Sequence, residues 1–152
     1  MATTYFTKKK QISRDWLVVD AKDQTVGRLA SNLAMFLMGK HKATYSPHLD
    51  TGDYVIVINA DKVKFTGKKW DQKVYFRHTG YVGGVRTRTA KEMLAKKPTD
   101  ILKIAVKGML PKNQVLARRQ LMKLKIYTGE THPHAVQNPK TVKISASGKV
   151  KA

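Results

Sequence analysis

His41 and His48 lie close in sequence to Asp50 and Asp53, and imidazoles beside carboxylates are the groups from which a nuclease builds a general base and a metal site. The competing reading is conformational. Asp50-Thr51-Gly52-Asp53 is the kind of stretch that shapes a turn before a strand, and that reading is favoured. His132 and His134 also carry ligating nitrogens, but the chain has no cysteine and only Glu130 as a nearby acid, so no metal centre is expected. The stretch from Ala21 to Gly27 lacks the closely spaced glycines that let a backbone approach a pyrophosphate, and no Gly-x-x-x-x-Gly-Lys-Ser/Thr occurs. A nucleotide cofactor is therefore not expected.

The chemistry that remains is cationic. Basic side chains gather in four places: Lys40 and Lys42, with His41 between them; a turn holding Lys62, Lys64, Lys68 and Lys69; Arg77, Arg86 and Arg88 around a glycine loop; and Lys107, Lys112, Arg118, Arg119, Lys123 and Lys125. One such cluster is usually a solvated face. Four of them in one small chain read as a surface for phosphates. The loop His78-Thr79-Gly80-Tyr81-Val82-Gly83-Gly84 adds close backbone approach at Gly83 and Gly84, and Tyr75, His78 and Tyr81 are placed to stack on unpaired bases.

Charge supports that reading. In 152 residues, 30 Lys and Arg face 10 Asp and Glu, a formal net charge of +20. Such self-repulsion is relieved by an anionic partner, most commonly nucleic acid. Residues 1–61 hold 8 basic and 6 acidic side chains, against 22 and 4 in residues 62–152, so the second part should build most of the partner surface. Structured RNA, an RNA substrate for cleavage and packaged duplex DNA are the three partners in contention. Absence of cysteine and of any apolar run approaching the length of a membrane span points away from disulfides, membrane insertion and secretion, and towards the cytoplasm.

The elements that must hold these groups read as one domain of α/β type. Trp16-Leu17-Val18-Val19-Asp20 and Tyr54-Val55-Ile56-Val57-Ile58 are continuous apolar runs suited to central strands. Between them Val26, Leu29, Ala30, Leu33, Ala34 and Leu37 recur at helical spacing, with Thr25 as cap and Gly39 as terminator. This is a β-α-β unit. A third strand is predicted near residues 73–77. Thr89 to Glu92 fits a capping box opening a short helix. A second helix carries Ile101, Leu102, Ala105 and Met109, and a third carries Val115, Leu116, Leu121 and Leu124. Lys125-Ile126-Tyr127 is a last short strand. Residues 1–13 are expected to be an extension, 14–137 the domain, and 138–152 a basic tail that only RNA would order.

Several of these segments resemble the bacterial large-subunit ribosomal protein L-thirteen family: Asp15-Trp16, Val26-Gly27-Arg28-Leu29-Ala30, the whole run GKHKATYSPHLDTGDYVIVINADKV from Gly39 to Val63, His78-Thr79-Gly80 with Gly83-Gly84, and Ala105 to Pro111. The likeness runs from about residue 14 to residue 137. It implies a three-layer α/β/α domain with a small, mainly parallel four-stranded sheet and no catalytic activity. It further implies binding to 23S-type rRNA early in large-subunit assembly, neighbouring ribosomal proteins as partners and, in some members, translational control through messenger RNA. Both ends of the chain go beyond the compact family pattern, and Lys112-Asn113-Gln114 replaces a more usual glycine-containing turn.

Overall fold

In the computed structural model, which describes residues 7–144 and 150–151, the two apolar runs are the middle of a sheet. β1 (Trp16–Asp20) and β2 (Tyr54–Ile58) pair in parallel over their full length, Trp16 opposite Tyr54 and Asp20 opposite Ile58. β5 (Leu124–Ile126) adds in parallel to β2, and β6 (Lys140–Ile144) adds in parallel to β1. The order β5-β2-β1-β6 is the four-stranded parallel sheet of an α/β fold. Val150–Lys151 (β7) pairs antiparallel beyond β6.

The helix between the first two strands, α1 (Val26–Met38), buries every apolar position named from its periodicity, and Phe36 as well. Gly39 ends it in the left-handed conformation at φ 83°, its N–H donating to the carbonyls of Met35 and Phe36, as a glycine following a helix can without a Cβ penalty. Leu17, Val19, Val55 and Val57 from one sheet face join this helix in a single core. Met93 of α3 (Ala90–Lys96) and Ile101, Leu102 and Val106 of α4 (Pro98–Met109) complete it. Alternation sends Trp16 and Val18 to the other face. There Trp16 stacks on Tyr54 with ring centroids 4.5 Å apart. The connection from β5 to β6 has to cross β2 and β1, because those strands lie at opposite edges. His134, on that connection, sits 5.1 Å from the Trp16 ring and 2.8 Å from the Tyr127 hydroxyl.

Four local expectations are corrected. The strand expected near residues 73–77 forms, but outside the main sheet: β3 (Val74–His78) pairs antiparallel with β4 (Val85–Thr89) in a separate hairpin. Its place in the sheet is taken by β6, from the segment expected to be a tail. Ile144 of that strand is buried in the core, and its carbonyl accepts from Gln24 Nε2 at 3.1 Å. In α4 Ile101 and Leu102 are buried as expected, but the third buried position is Val106, while Met109 is 42% exposed. In α5 (Gln114–Met122) Val115 is exposed and Gln120 is buried instead. Residues 1–6 of the extension, and 145–149 and 152 of the tail, lie outside the described residues.

The capping positions split. Thr89 accepts from the Glu92 N–H at 3.3 Å, and Asn113 accepts from the N–H groups of Val115 and Leu116 at the start of α5. Thr25 occupies the N-cap of α1 without a capping bond, and the N–H of the next residue, Val26, is taken by the Lys64 carbonyl at 3.0 Å. Its hydroxyl oxygen is buried with no partner. Thr25→Val is therefore expected to raise stability by about 1 kcal/mol, the cost of an unsatisfied buried hydroxyl, measurable as a higher urea midpoint. A working cap would give a loss of similar size.

Candidate nucleic-acid interface

The hairpin carries the most concentrated cationic site. Register places Arg77 directly opposite Arg86 and Tyr75 opposite Arg88, and cross-strand partners point to the same side of a ribbon. Arg77 and Arg86 are exposed, and among the described residues none of the three arginines has a carboxylate within ion-pair distance. Two like charges side by side on a two-stranded ribbon are unfavourable in isolation. Tyr75 packs partly against the core, which pushes its phenol above the ordinary value, and Lys73 Nζ lies 5.3 Å from its ring centre.

The turn joining these strands is built by its glycines. Gly80 and Gly83 have φ of 97° and 72°, and a Cβ on Gly84 would stand 2.0 Å from the Thr79 hydroxyl oxygen. His78 Nδ1 accepts from the Gly80 N–H at 2.9 Å, so His78 helps to fix the turn. Gly83 is exposed and Gly84 partly so.

The lysine turn divides in two. Lys64 pairs with Asp23 at 2.6 Å, holding that carboxyl below its usual range, and Lys62 reaches Glu130 at 3.6 Å. These pairs are exposed, so a phosphate can displace them at little cost. Lys68 and Lys69 lie at the start of the short helix α2 (Lys69–Gln72), and the Lys69 ammonium donates to the Thr66 hydroxyl at 3.2 Å. At the other end of the domain Lys107, Lys112, Arg118, Arg119 and Lys125 are all exposed. Arg118 and Lys125 line a shallow cavity of about 290 Å³ floored by Leu121, Met122 and Leu124. Lys103 completes its cationic rim. The residue pattern did not single out Lys103; its one signal is its place four residues before Lys107, on the same side of α4.

Three expected phosphate ligands make bonds within the protein, one of them, Lys123, buried. Lys123 is 5% exposed. Its ammonium donates to the carbonyls of Leu37 at 3.2 Å and Gly52 at 2.9 Å and to Asp50 at 2.5 Å, which leaves no donor for RNA. His41 Nε2 lies 2.8 Å from Asp53, and Lys42 Nζ pairs with the other oxygen of the same carboxylate. Asp53 also accepts from the Asp15 N–H at 2.9 Å and is 1% exposed. A carboxylate so enclosed is neither a general base nor a metal ligand open to solvent, and His41 and Asp53 form a structural pair. Lys40, beside them, remains exposed.

Comparison with known proteins accords with this arrangement. Residues 14–133 match the family described as Ribosomal protein L13. Over 141 residues the chain is 52% identical to the large ribosomal subunit protein uL13 of Desulfotalea psychrophila, an alignment that spans 93% of this chain and 99% of that protein. A match over most of the domain, at that identity, leaves no room for a different family: the chain belongs to the ribosomal protein L13 family.

Proposed function

We propose that this non-enzymatic, structural protein of the large ribosomal subunit binds folded 23S rRNA by neutralising phosphates, and that it does so early in subunit assembly. The observation that carries the reading is the arginine face of the hairpin, where Arg77, Arg86 and Arg88 are held together without carboxylate partners among the described residues. Rigid secondary structure fixes these cations in an array. RNA segments that repel one another can then be bridged across it, and phosphate contacts set position without reading base identity. Lys62, Lys64, Lys68, Lys69, Lys107, Lys112, Arg118, Arg119 and Lys125 extend the array over the exposed surface, with Lys40 at its margin. Neighbouring ribosomal proteins occupy surface that the RNA does not.

The test is salt dependence. Replacing Arg77, Arg86 and Arg88 together by alanine should weaken binding to an rRNA fragment and lower the slope of log affinity against log salt by about 2 to 3 units, since each lost phosphate contact removes about 0.7 to 0.9. The same variant should fold at least as stably as the parent, because opposed like charges are removed. An unchanged slope would reject the hairpin as a phosphate surface.

A further inference from the structure

The hairpin has a second face, and that face bears no Lys, Arg, Asp or Glu. Val74, Phe76 and His78 of β3 stand opposite Thr89, Thr87 and Val85 of β4, on the side away from Tyr75, Arg77, Arg86 and Arg88. Phe76 is 80% exposed, Val85 58% and Val74 50%, and Tyr81 and Val82 at the tip are barely covered. These five side chains are half of the ten large hydrophobic residues exposed among the described residues. Exposed apolar side chains scattered singly need no explanation, but a contiguous patch marks an interaction surface.

We infer that this face docks a neighbouring protein of the particle, one presenting uncharged apolar side chains. The inference rests on the proposed placement in the large subunit. Charge segregation decides the occupant. A polyanion seated here would give up water around its phosphates without meeting a cation, whereas the arginines that would repay it lie on the opposite side. Val74, Val85, Thr87 and Thr89 surround Phe76, and the other two rings, His78 and Tyr81, lie towards the tip, where His78 is tied to the Gly80 N–H, so most of the face offers an aliphatic surface and not a row of rings on which successive bases could stack. A two-stranded ribbon is marginal by itself in water. With RNA on one side and protein on the other, both faces are covered. Five residues of strand extend roughly 17 Å, about three turns of helix, so the footprint suits one short helix or extended segment.

Position 87 lies directly opposite Phe76 and position 86 on the arginine face, which allows each side to be probed in intact large subunits containing the full chain. With Thr87→p-benzoylphenylalanine, irradiation should give an adduct with another ribosomal protein that resists ribonuclease and is lost on proteolysis. With Arg86→p-benzoylphenylalanine the adduct should be with RNA. An RNA adduct from position 87, an adduct with a second copy of this chain, or no adduct there would each overturn the inference. Failure at position 86 would count against the RNA reading alone. In support, Phe76→Ser should leave affinity for an rRNA fragment unchanged while its retention in subunits after a high-salt wash falls more than about tenfold, the effect of losing one buried aromatic anchor. Equal losses in both assays would place RNA on this face and overturn the inference.

Discussion

Lys123→Ala is expected to destabilise the protein by roughly 3 to 5 kcal/mol, the cost of removing one partner from a buried ion pair. The ammonium does three jobs. It balances Asp50, it satisfies the Leu37 carbonyl at the end of α1, and it satisfies the Gly52 carbonyl where the chain enters β2. Alanine leaves all three acceptors enclosed, with only Arg14, at 3.7 Å from Asp50, as a distant substitute. Lys123→Met keeps the aliphatic stem in place and should lose less. The pair of variants also has a pH signature. Burial holds the Lys123 ammonium below its ordinary value of 10.5, with Asp50 pulling the other way. In the interval below 10.5 the unfolded chain therefore keeps a proton that the folded chain has released, so the stability of the parent relative to Lys123→Met should rise as pH climbs towards 10.5. Urea midpoints across that range check both statements. Under conditions where the variant is folded, the salt slope of RNA binding should not change, which separates Lys123 from Arg77, Arg86 and Arg88.

The contrast between Lys123 and those arginines shows what a sequence can and cannot disclose. β1, α1 and β2 are legible because each is specified by its own residues: unbroken apolar runs for central strands, a spacing of three and four for the helix, and Gly39 to end it. The α/β class follows from those three elements alone. β6 is not legible in the same way, since Lys140 and Lys143 interrupt its Thr, Val and Ile, and nothing local says that the strand will find an open position beside β1. The hairpin is legible as alternating residues but not as a separate ribbon, because periodicity identifies a strand and not its partner. Lys123 follows a basic helix and resembles its neighbours in every local respect. Its burial is decided by Asp50 and Gly52, which the fold brings to it from more than seventy residues away. The contacts of His41 and Lys42 with Asp53 are likewise made by the fold and not announced by either residue's neighbours. The family resemblance, which depends on the whole pattern at once, is the reading that the comparisons bear out most completely.

Gly52→Ala should be the most damaging single methyl group that can be added to the protein. A Cβ there would stand 1.8 Å from the Leu37 carbonyl oxygen and 2.3 Å from its carbon. Both are backbone atoms near the end of a helix, so no side-chain rotation relieves the clash; α1 and the entry to β2 have to part. Moving them apart stretches the bond from the Asp53 N–H to the Phe36 carbonyl, now 3.1 Å, and withdraws two of the acceptors around Lys123. Over-packing in a close-packed interior costs up to about 3 kcal/mol and occasionally more, and loss of these polar contacts comes on top, so a destabilisation of at least about 3 kcal/mol is expected. Gly27→Ala, within α1 itself, is the control. Its added methyl meets nothing within 4 Å, and alanine is favoured over glycine within a helix, so a gain of about 0.5 to 1 kcal/mol is expected. Opposite signs at a glycine within α1 and one packed against its end would show that close backbone approach fixes Gly52. The consequence reaches the interface, because residues 40–53 are held against α1 by this contact. If the contact opens, Lys42 leaves Asp53, and an ammonium now spent on the fold becomes free to meet RNA. Gly52→Ala should therefore bind rRNA with a steeper salt dependence than the parent wherever it remains folded, and a shallower one would mean that the loop does not release.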